Sequence, residues 1–230
     1  MYNQWIDKYK PQEMGDIIGN WDEINMIIKW LKNYRDKYNT LQNSPSSIIV
    51  MGDCGIGKST IIDIIIKHCG YRSKKMSIGD VKNKKVIEEI KNSIMENKNV
   101  RNMMRGIKDT RNVLVIDDVD KITLTTEISG LVELFKQNQL KRMFPIIFIS
   151  SIKGGKLPNK IIKLNNSTKK IASAEICFKL SNPSYQDFLK LLNHIVMEEK
   201  LNINNDTIKH KIIEYSQYDL RKLIHILHDV

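Results

Sequence analysis

Residues 52 to 59 carry the pattern in this chain that is best suited to chemistry, a glycine-rich loop followed by a lysine and a serine. The segment matches the phosphate-binding pattern G-x-x-x-x-G-K-S/T in full. Gly52, Gly55 and Gly57 let the backbone turn tightly, so that consecutive N–H groups point inward at phosphate oxygens. The helix that follows adds the positive end of its dipole, which also favours an anion. The pattern therefore predicts binding of a nucleoside triphosphate.

The polar residues after the last glycine have distinct predicted roles. Lys58 is expected to reach the β and γ phosphates as a point charge, and the Ser59 hydroxyl is expected to ligate Mg²⁺. A chance glycine-rich turn is the alternative, and the β-branched run before the loop and the apolar helix after it argue against that alternative. The predicted nucleotide-binding residues of this segment are Gly52, Asp53, Cys54, Gly55, Ile56, Gly57, Lys58, Ser59 and Thr60.

A second chemical pattern lies at residues 112 to 118, where an apolar run is followed by two carboxylates. This Walker B pattern is typical of a buried parallel strand that delivers acids to its carboxyl edge. Asp117 is predicted to hold Mg²⁺, directly or through water, and Asp118 to orient or polarise the water that attacks the γ phosphate. An apolar strand before two acids is weak evidence by itself, but its place after the phosphate-binding loop joins both patterns into one predicted site.

The elements that must position these groups follow from the hydrophobic periodicity of the chain. Strands that alternate with helices predict an α/β fold with a parallel sheet, and a final stretch of helices predicts a small second domain. Strands are predicted at residues 47–51, 75–78, 112–116, 145–150 and 175–180. Helices are predicted from residue 22, at 60–69, 86–94, 128–135 and 183–200, and after Asp206 and Asp219 as N-caps.

Two polar residues outside these motifs are candidates with alternatives. Ser151 follows the strand predicted beside the Walker B strand, where it is placed to hydrogen-bond the γ phosphate or the attacking water; a strand end is also where loops and their serines normally begin. Arg221 lies one turn into the last predicted helix. An exposed basic residue is usually only solvated, so the pattern alone leaves its role open.

The formal net charge of +11 and the pI near 9.4 give a field that favours polyanions, of which nucleic acid is the commonest partner. The chain is also rich in Ile, Asn and Lys, a bias that an AT-rich genome would impose on any protein. Residues 97–111 are strongly basic and are either a solvated loop or a loop that faces DNA.

The chain has 230 residues, enough for one α/β domain and a small appendage. Its sequence has neither a membrane-spanning segment nor the basic and apolar regions of a signal peptide, which predicts a soluble intracellular protein without membrane partners. The cysteines at 54, 69 and 177 form no pattern for zinc or for a disulfide framework.

Together these segments resemble AAA+ clamp-loader ATPases, and in particular the large subunit of replication factor C. The resemblance implies an AAA+ nucleotide-binding domain at residues 1–180 and a helical lid domain at 181–230. The similar segments are Trp5-Ile-Asp-Lys-Tyr-Lys-Pro11, Asp16-Ile-Ile-Gly19, the phosphate loop, the stretch from Gly70 to Asp80, the Walker B strand, Pro145-Ile-Ile-Phe-Ile-Ser150 and Asp219-Leu-Arg221.

The resemblance implies roles that the residue patterns alone do not. It implies that the chain binds Mg²⁺ and hydrolyses ATP. It also implies that the chain acts with clamp-loader small subunits to place a sliding clamp on primed double-stranded DNA. The activity would belong to DNA replication, in the nucleus or wherever replication takes place. By this resemblance Ser151 is sensor 1, Arg221 is sensor 2 and touches the γ phosphate, and the residues expected near the adenine are Tyr9, Lys10, Pro11, Ile17 and Ile18.

The chain departs from the family pattern in ways that qualify these expectations. Residues 169–177 have no arginine where small subunits carry an arginine finger, so this chain is expected to receive a finger and to hydrolyse ATP slowly alone. Asp118 replaces the usual glutamate, and Ser151 replaces the usual asparagine. The chain stops at Val230, inside the expected lid and without the collar domain that family members have. Two other hypotheses stay open: another AAA+ DNA-processing ATPase, such as a helicase loader or initiator, and a nucleotide-binding module with little turnover.

Overall fold

The computed structural model describes residues 3–36, 45–76, 88–89, 92, 111–167, 176–203 and 205–229. The strands are β1 (Ser47–Gly52), β2 (Arg72–Met76), β3 (Asn112–Ile116), β4 (Ile146–Ser151) and β5 (Cys177–Lys179). The helices are α1 (Asn3–Lys8), α2 (Trp21–Asp36), α3 (Lys58–His68), α4 (Thr125–Lys141), α5 (Lys156–Ser167), α6 (Tyr185–Glu198), α7 (Asp206–Tyr215) and α8 (Leu220–His228). Short 3₁₀ turns lie at Met14–Asp16 and Val119–Lys121.

The five strands form one sheet in the order β2-β3-β4-β1-β5, and each neighbouring pair is parallel. Strands that are adjacent in space but not in sequence require crossover connections, which the helices supply. The α/β fold with a parallel sheet, predicted from the alternation of strands and helices, is confirmed. Because the carboxyl ends of parallel strands share one edge, the segments that follow β1, β3 and β4 meet there.

Successive side chains of the strands enter two separate cores, one on each face of the sheet. Ile48 and Val50 pack into the core with α2 and α3, and Ile49 and Met51 pack into the core with α4 and α5. Both faces are therefore covered, which explains why the sequences of the central strands β1, β3 and β4 are largely apolar and do not alternate with polar residues.

A third hydrophobic cluster joins α6, α7 and α8 and stands apart from the two sheet cores. Phe188 and Leu192 of α6 are fully buried in it, as are Leu223 and Leu227 of α8. Trp5 of α1 packs against the same cluster, so the start of the chain lies on these helices. No described helix is long and apolar enough to cross a membrane.

Some predicted boundaries are wrong, for local reasons. β2 is described at Arg72–Met76 and so begins before the predicted residue 75, because it is an edge strand with mostly exposed side chains and lacks the apolar run that marks the central strands; residues 77 and 78 of the prediction lie outside the described residues. α6 begins at Tyr185, after Ser184, which caps the helix by accepting a hydrogen bond from the Asp187 N–H. Most of the predicted helix at 86–94 lies outside the described residues. The same is true of nearly all of the basic stretch at 97–111.

The two predicted aspartate caps have different outcomes. α7 is capped by Asn205 and not by Asp206, because the Asn205 side chain accepts a hydrogen bond from the Thr207 N–H. Asp219 does cap α8, accepting hydrogen bonds from the N–H groups of Arg221 and Lys222. The predicted start of the last helix is therefore confirmed.

Candidate nucleotide-binding site

The loop between β1 and α3 has the backbone geometry of a phosphate cradle. Gly55 and Gly57 have φ angles of +77° and +88°, in the left-handed region that favours glycine. Gly57 is the N-cap of α3, so the first turn of an 11-residue helix opens directly onto the loop. Orphan N–H groups and the helix dipole both favour an anion at this point.

Lys58, the first residue of α3, folds back across this loop. Its Nζ donates hydrogen bonds to the carbonyl oxygens of Gly52, at 3.0 Å, and of Asp53, at 2.7 Å. The ammonium group therefore lies over the cradle, where phosphate oxygens are able to replace these carbonyl partners.

Ser59 and Asp117, the two predicted magnesium ligands, are in direct contact. The Ser59 hydroxyl donates to Asp117 Oδ2 at 2.6 Å, and Asp117 Oδ1 accepts from the Asp118 N–H at 2.8 Å. A hydroxyl and a carboxylate are hard oxygen ligands, which fits Mg²⁺. No cluster of three or more His, Cys, Asp or Glu side chains suited to a metal occurs within the described ranges.

Asp118 is exposed at the start of the 3₁₀ turn that follows β3. Its backbone is left-handed, at φ 54° and ψ 35°, and its Oδ2 accepts a hydrogen bond from Lys121 Nζ at 2.7 Å. This hydrogen bond, with the attraction of the carboxylate, raises the pKa of Lys121. The predicted catalytic carboxylate is thus adjacent to the magnesium ligands but paired with a cation of its own turn.

Ser151 lies at the edge of the sheet beside the phosphate loop, since it pairs with Gly52 in the register of β4 and β1. Its backbone N–H donates to Asp120 Oδ1 at 3.0 Å. Sequence reasoning missed Asp120, although it is the next acid after Asp117 and Asp118; the Walker B pattern ends with the strand and gives no role to residues beyond it.

The start of α8 lies directly against the phosphate loop. The Leu220 N–H donates to the Gly55 carbonyl at 3.3 Å. A Cβ built on Gly55 would lie only 2.0 Å from Asp219 Cγ, so no side chain fits at position 55 in this arrangement. Arg221, in the first turn of the same helix, is exposed at this junction.

The residues predicted near the adenine are divided between the two parts of the molecule. Ile17 is buried in the core of α2 and α3, and Ile18 beside it is half-buried. Tyr9 lies against α6 instead, with its ring edge-on to His194 and its hydroxyl donating to Glu199 Oε1 at 2.6 Å. Lys10 is exposed and Pro11 half-buried in the connection between these two parts.

The family model described as "ATPase family associated with various cellular activities (AAA)" matches residues 48–173, more than half of the chain. The match extends from the phosphate-loop strand past the Walker B turn and β4, the segments that form the site. This chain belongs to the AAA family of P-loop ATPases.

Within that class, the chain is similar to replication factor C large subunits. A putative replication factor C large subunit of Acanthamoeba polyphaga mimivirus is 29% identical over 97% of this chain and 47% of the viral protein. The large subunit of Methanococcus aeolicus is 28% identical over 57% of this chain and 25% of its own length. Replication factor C subunit 1 of Homo sapiens is 23% identical over 97% of this chain and 20% of its own length. The predicted resemblance is confirmed, and the chain spans between a fifth and about half of these relatives.

Solved structures of RuvB from Thermotoga maritima share the fold. A substituted RuvB superposes with a TM-score of 0.64 and 13% identity, over 96% of this chain and 64% of that chain. The RuvB Holliday junction branch migration motor superposes with a TM-score of 0.57 and 13% identity over the same shares. At such identities the likeness shows the fold alone.

Proposed function

We propose that this chain is an ATP-binding clamp-loader subunit of the large-subunit type, which helps to load a sliding clamp onto primed DNA during DNA replication. The observation that carries the proposal is the direct contact of Ser59 with Asp117 beneath a glycine-rich loop, with the start of α8 closed against that loop. The similarity to replication factor C large subunits supports the clamp-loader assignment.

In this proposal the site binds ATP through the phosphate loop and hydrolyses it slowly. Lys58 exchanges its carbonyl partners for β and γ phosphate oxygens, and Ser59 and Asp117 hold Mg²⁺, which supplies charge neutralisation at the phosphates. Asp118 orients the attacking water once its carboxylate leaves Lys121. Ser151, at the end of β4, faces the same edge of the sheet.

Arg221 completes the site from the lid. It lies in the first turn of α8, whose start touches Gly55. A cation that contacts the γ phosphate from this helix binds ATP more tightly than ADP, and so favours the closed lid when ATP is bound. Residues 1–180 are then the AAA+ domain, and residues 181–230 the lid.

A lysine-rich face of α5 is our candidate surface for primed DNA. Lys156, Lys160 and Lys163 recur at helical spacing on this helix, Lys153 lies in the turn before it, and all four are exposed. Their charge is suited to duplex phosphates, whose neutralisation makes binding fall as salt rises. Substituting Lys160 and Lys163 by Ala is expected to weaken DNA binding and flatten its salt dependence.

ATPase measurements test the proposal. The purified chain is assayed alone, with clamp-loader small subunits, and with clamp and primed DNA added. We expect a low basal rate that rises with these additions, because an arginine finger from a neighbouring subunit is worth about 10³- to 10⁵-fold. Activity that is indifferent to all additions would contradict a clamp-loader role.

A nucleotide-binding module with little turnover is the second candidate function. It is favoured by the pairing of Asp118 with Lys121 and by an aspartate in place of glutamate, which draws the carboxylate back from an in-line water. Lys58→Ala distinguishes the candidates. If ATP binds to the wild type but this substitution leaves clamp and DNA association unchanged, nucleotide is dispensable for association and the module is favoured.

A further inference from the structure

Asp120 joins two strands of the candidate site. It lies in the 3₁₀ turn that follows β3, and its Oδ1 accepts a hydrogen bond from the Ser151 N–H, at the end of β4, at 3.0 Å. The backbone N–H of Ser151 is therefore held by one half-buried acid.

A second contact fixes the same junction through the backbone. A Cβ built on Gly155, in the turn after β4, would lie 2.9 Å from the Asp120 Cα and 3.1 Å from its carbonyl oxygen. A contact this short leaves no room for a side chain at position 155. The segment after β4 thus lies directly on the turn that follows the Walker B acids.

The charge state of Asp120 suits this contact. Partial burial alone would raise its pKa, but the backbone hydrogen bond from Ser151, the nearby Ser151 side chain, its own backbone N–H and the attraction of Lys121 outweigh burial, so that the pKa is lowered. The carboxylate is ionised at neutral pH and accepts strongly from the Ser151 N–H.

We propose that Asp120 is a positioning residue, which holds Ser151 in place between the phosphate loop and the Walker B acids. Ser151 faces Gly52 across the β4–β1 register, so Asp120 sets the distance from this serine to both halves of the site. With its backbone N–H held by Asp120, Ser151 keeps its hydroxyl at a fixed place on this edge of the sheet, where it is able to hydrogen-bond the attacking water. This inference rests on the proposed ATP hydrolysis.

The test compares Asp120→Ala, Asp120→Asn, Ser151→Ala and the double variant Asp120→Ala/Ser151→Ala in the full chain, with the DNA and partner subunits that give turnover. We expect Asp120→Ala to lower kcat roughly 10- to 100-fold while the Kd for ATP changes by less than about threefold. Asp120→Asn keeps an oxygen that accepts a hydrogen bond, so its kcat should fall less than that of Asp120→Ala. The double variant should be no slower than Ser151→Ala, since Asp120 acts through that serine.

Asp206→Asn is the matched control, because it removes the same charge from a side chain that is 97% exposed on α7. Wild-type kcat in Asp120→Ala, or losses that add in the double variant, would overturn the inference. Hydrogen exchange of the Ser151 amide needs no turnover and covers the case in which the wild type is inactive. An inactive wild type would contradict the proposed function. The positioning role would then stand only if hydrogen exchange of the Ser151 amide accelerates at least about tenfold in Asp120→Ala and not in Asp206→Asn.

Discussion

The phosphate side of the candidate site is built from different contacts than the lid side, which is formed by the hydrophobic cluster of α6, α7 and α8, named the lid cluster after its proposed role. On the phosphate side, Lys58, Ser59 and Asp117 lie at a helix start and a strand end, and their partners belong to the same sheet edge. On the lid side, α1 is tied to the residue after α6 by side-chain bonds, in which Lys8 and Tyr9 share one oxygen of Glu199.

The difference separates a rigid part from an adjustable part. Groups on strand ends between two closed cores keep their spacing, which chemistry on phosphates requires. An ion pair whose lysine is exposed contributes little stability and rearranges at low cost, which suits the proposed role of these helices as a lid. α1 packs against the lid cluster, so it is expected to move with the proposed lid.

The largest expected effect tests the rigid side. Asp117→Ala removes the acceptor of the Ser59 hydroxyl and of the Asp118 N–H, together with the predicted Mg²⁺ ligand. Turnover should fall by about 10²- to 10³-fold, as for loss of one preorganised polar group in an active site. Steady-state ATPase assays with Asp206→Asn as the control measure this effect. An unchanged rate in Asp117→Ala would contradict a role for Asp117 in ATP hydrolysis.

The next effect lies at the junction of the two sides. Gly55→Ala adds a side chain where Asp219 leaves no space and forces alanine into a left-handed backbone, which alone costs roughly 1–2 kcal/mol. Gly57→Ala has the strain without a clash, and Gly15→Ala has neither. Chemical denaturation without nucleotide should rank their losses of unfolding free energy in the order Gly55, Gly57, Gly15. Equal losses at Gly55 and Gly57 would mean that α8 does not rest on the loop.

A smaller effect is expected on the adjustable side. Tyr9→Phe deletes the hydroxyl that donates to Glu199 and keeps the ring that packs edge-on to His194. The melting temperature should fall by a few degrees at most, since one hydrogen bond to a half-buried carboxylate is lost and Lys8 still pairs with that carboxylate. Tyr215→Phe is the control, because its side chain is 78% exposed. A loss as large as that of Gly55→Ala would show that the N-terminal contact is structural and not adjustable.

The smallest effect is a dependence of stability on pH. Hydrogen bonds from Lys8 and then Tyr9 lower the pKa of Glu199 below its ordinary value. A carboxylate with a lowered folded-state pKa stabilises the protein above its unfolded pKa, and that stabilisation is lost as the pH falls through the folded pKa. The melting-temperature difference between wild type and Glu199→Gln should therefore be largest near neutral pH and shrink in acid. A melting-temperature difference between the two proteins that grows as the pH falls would contradict this prediction.

The phosphate side could be predicted from the sequence because its signals are local. The glycines, Lys58 and Ser59 fall within eight consecutive residues, and Asp117 directly follows an apolar strand. The order of the strands along the sheet could not be predicted in this way, since periodicity does not report which strands pair.

The contacts that sequence analysis missed join residues far apart in the chain. Asp120 and Ser151 are 31 residues apart, and Tyr9 and Glu199 are 190 apart. Tyr9 was predicted near the adenine from the resemblance, and its side chain lies on α6. Only the packing of α1 against the lid cluster, which no local pattern encodes, brings the tyrosine to that helix.

The alternation of strand side chains between two cores has a consequence for mutation. Ile147 and Ile149 pack on one face of the sheet, and Ile146 and Phe148 pack on the other. A slip of β4 by one residue would exchange the faces, so this interior pattern is what keeps Ser151 opposite Gly52. A genetic screen for lost ATPase activity should therefore recover substitutions at buried apolar positions of β4 as well as at polar positions of the site. Activity should survive apolar substitutions that leave each side chain on its own face of the sheet.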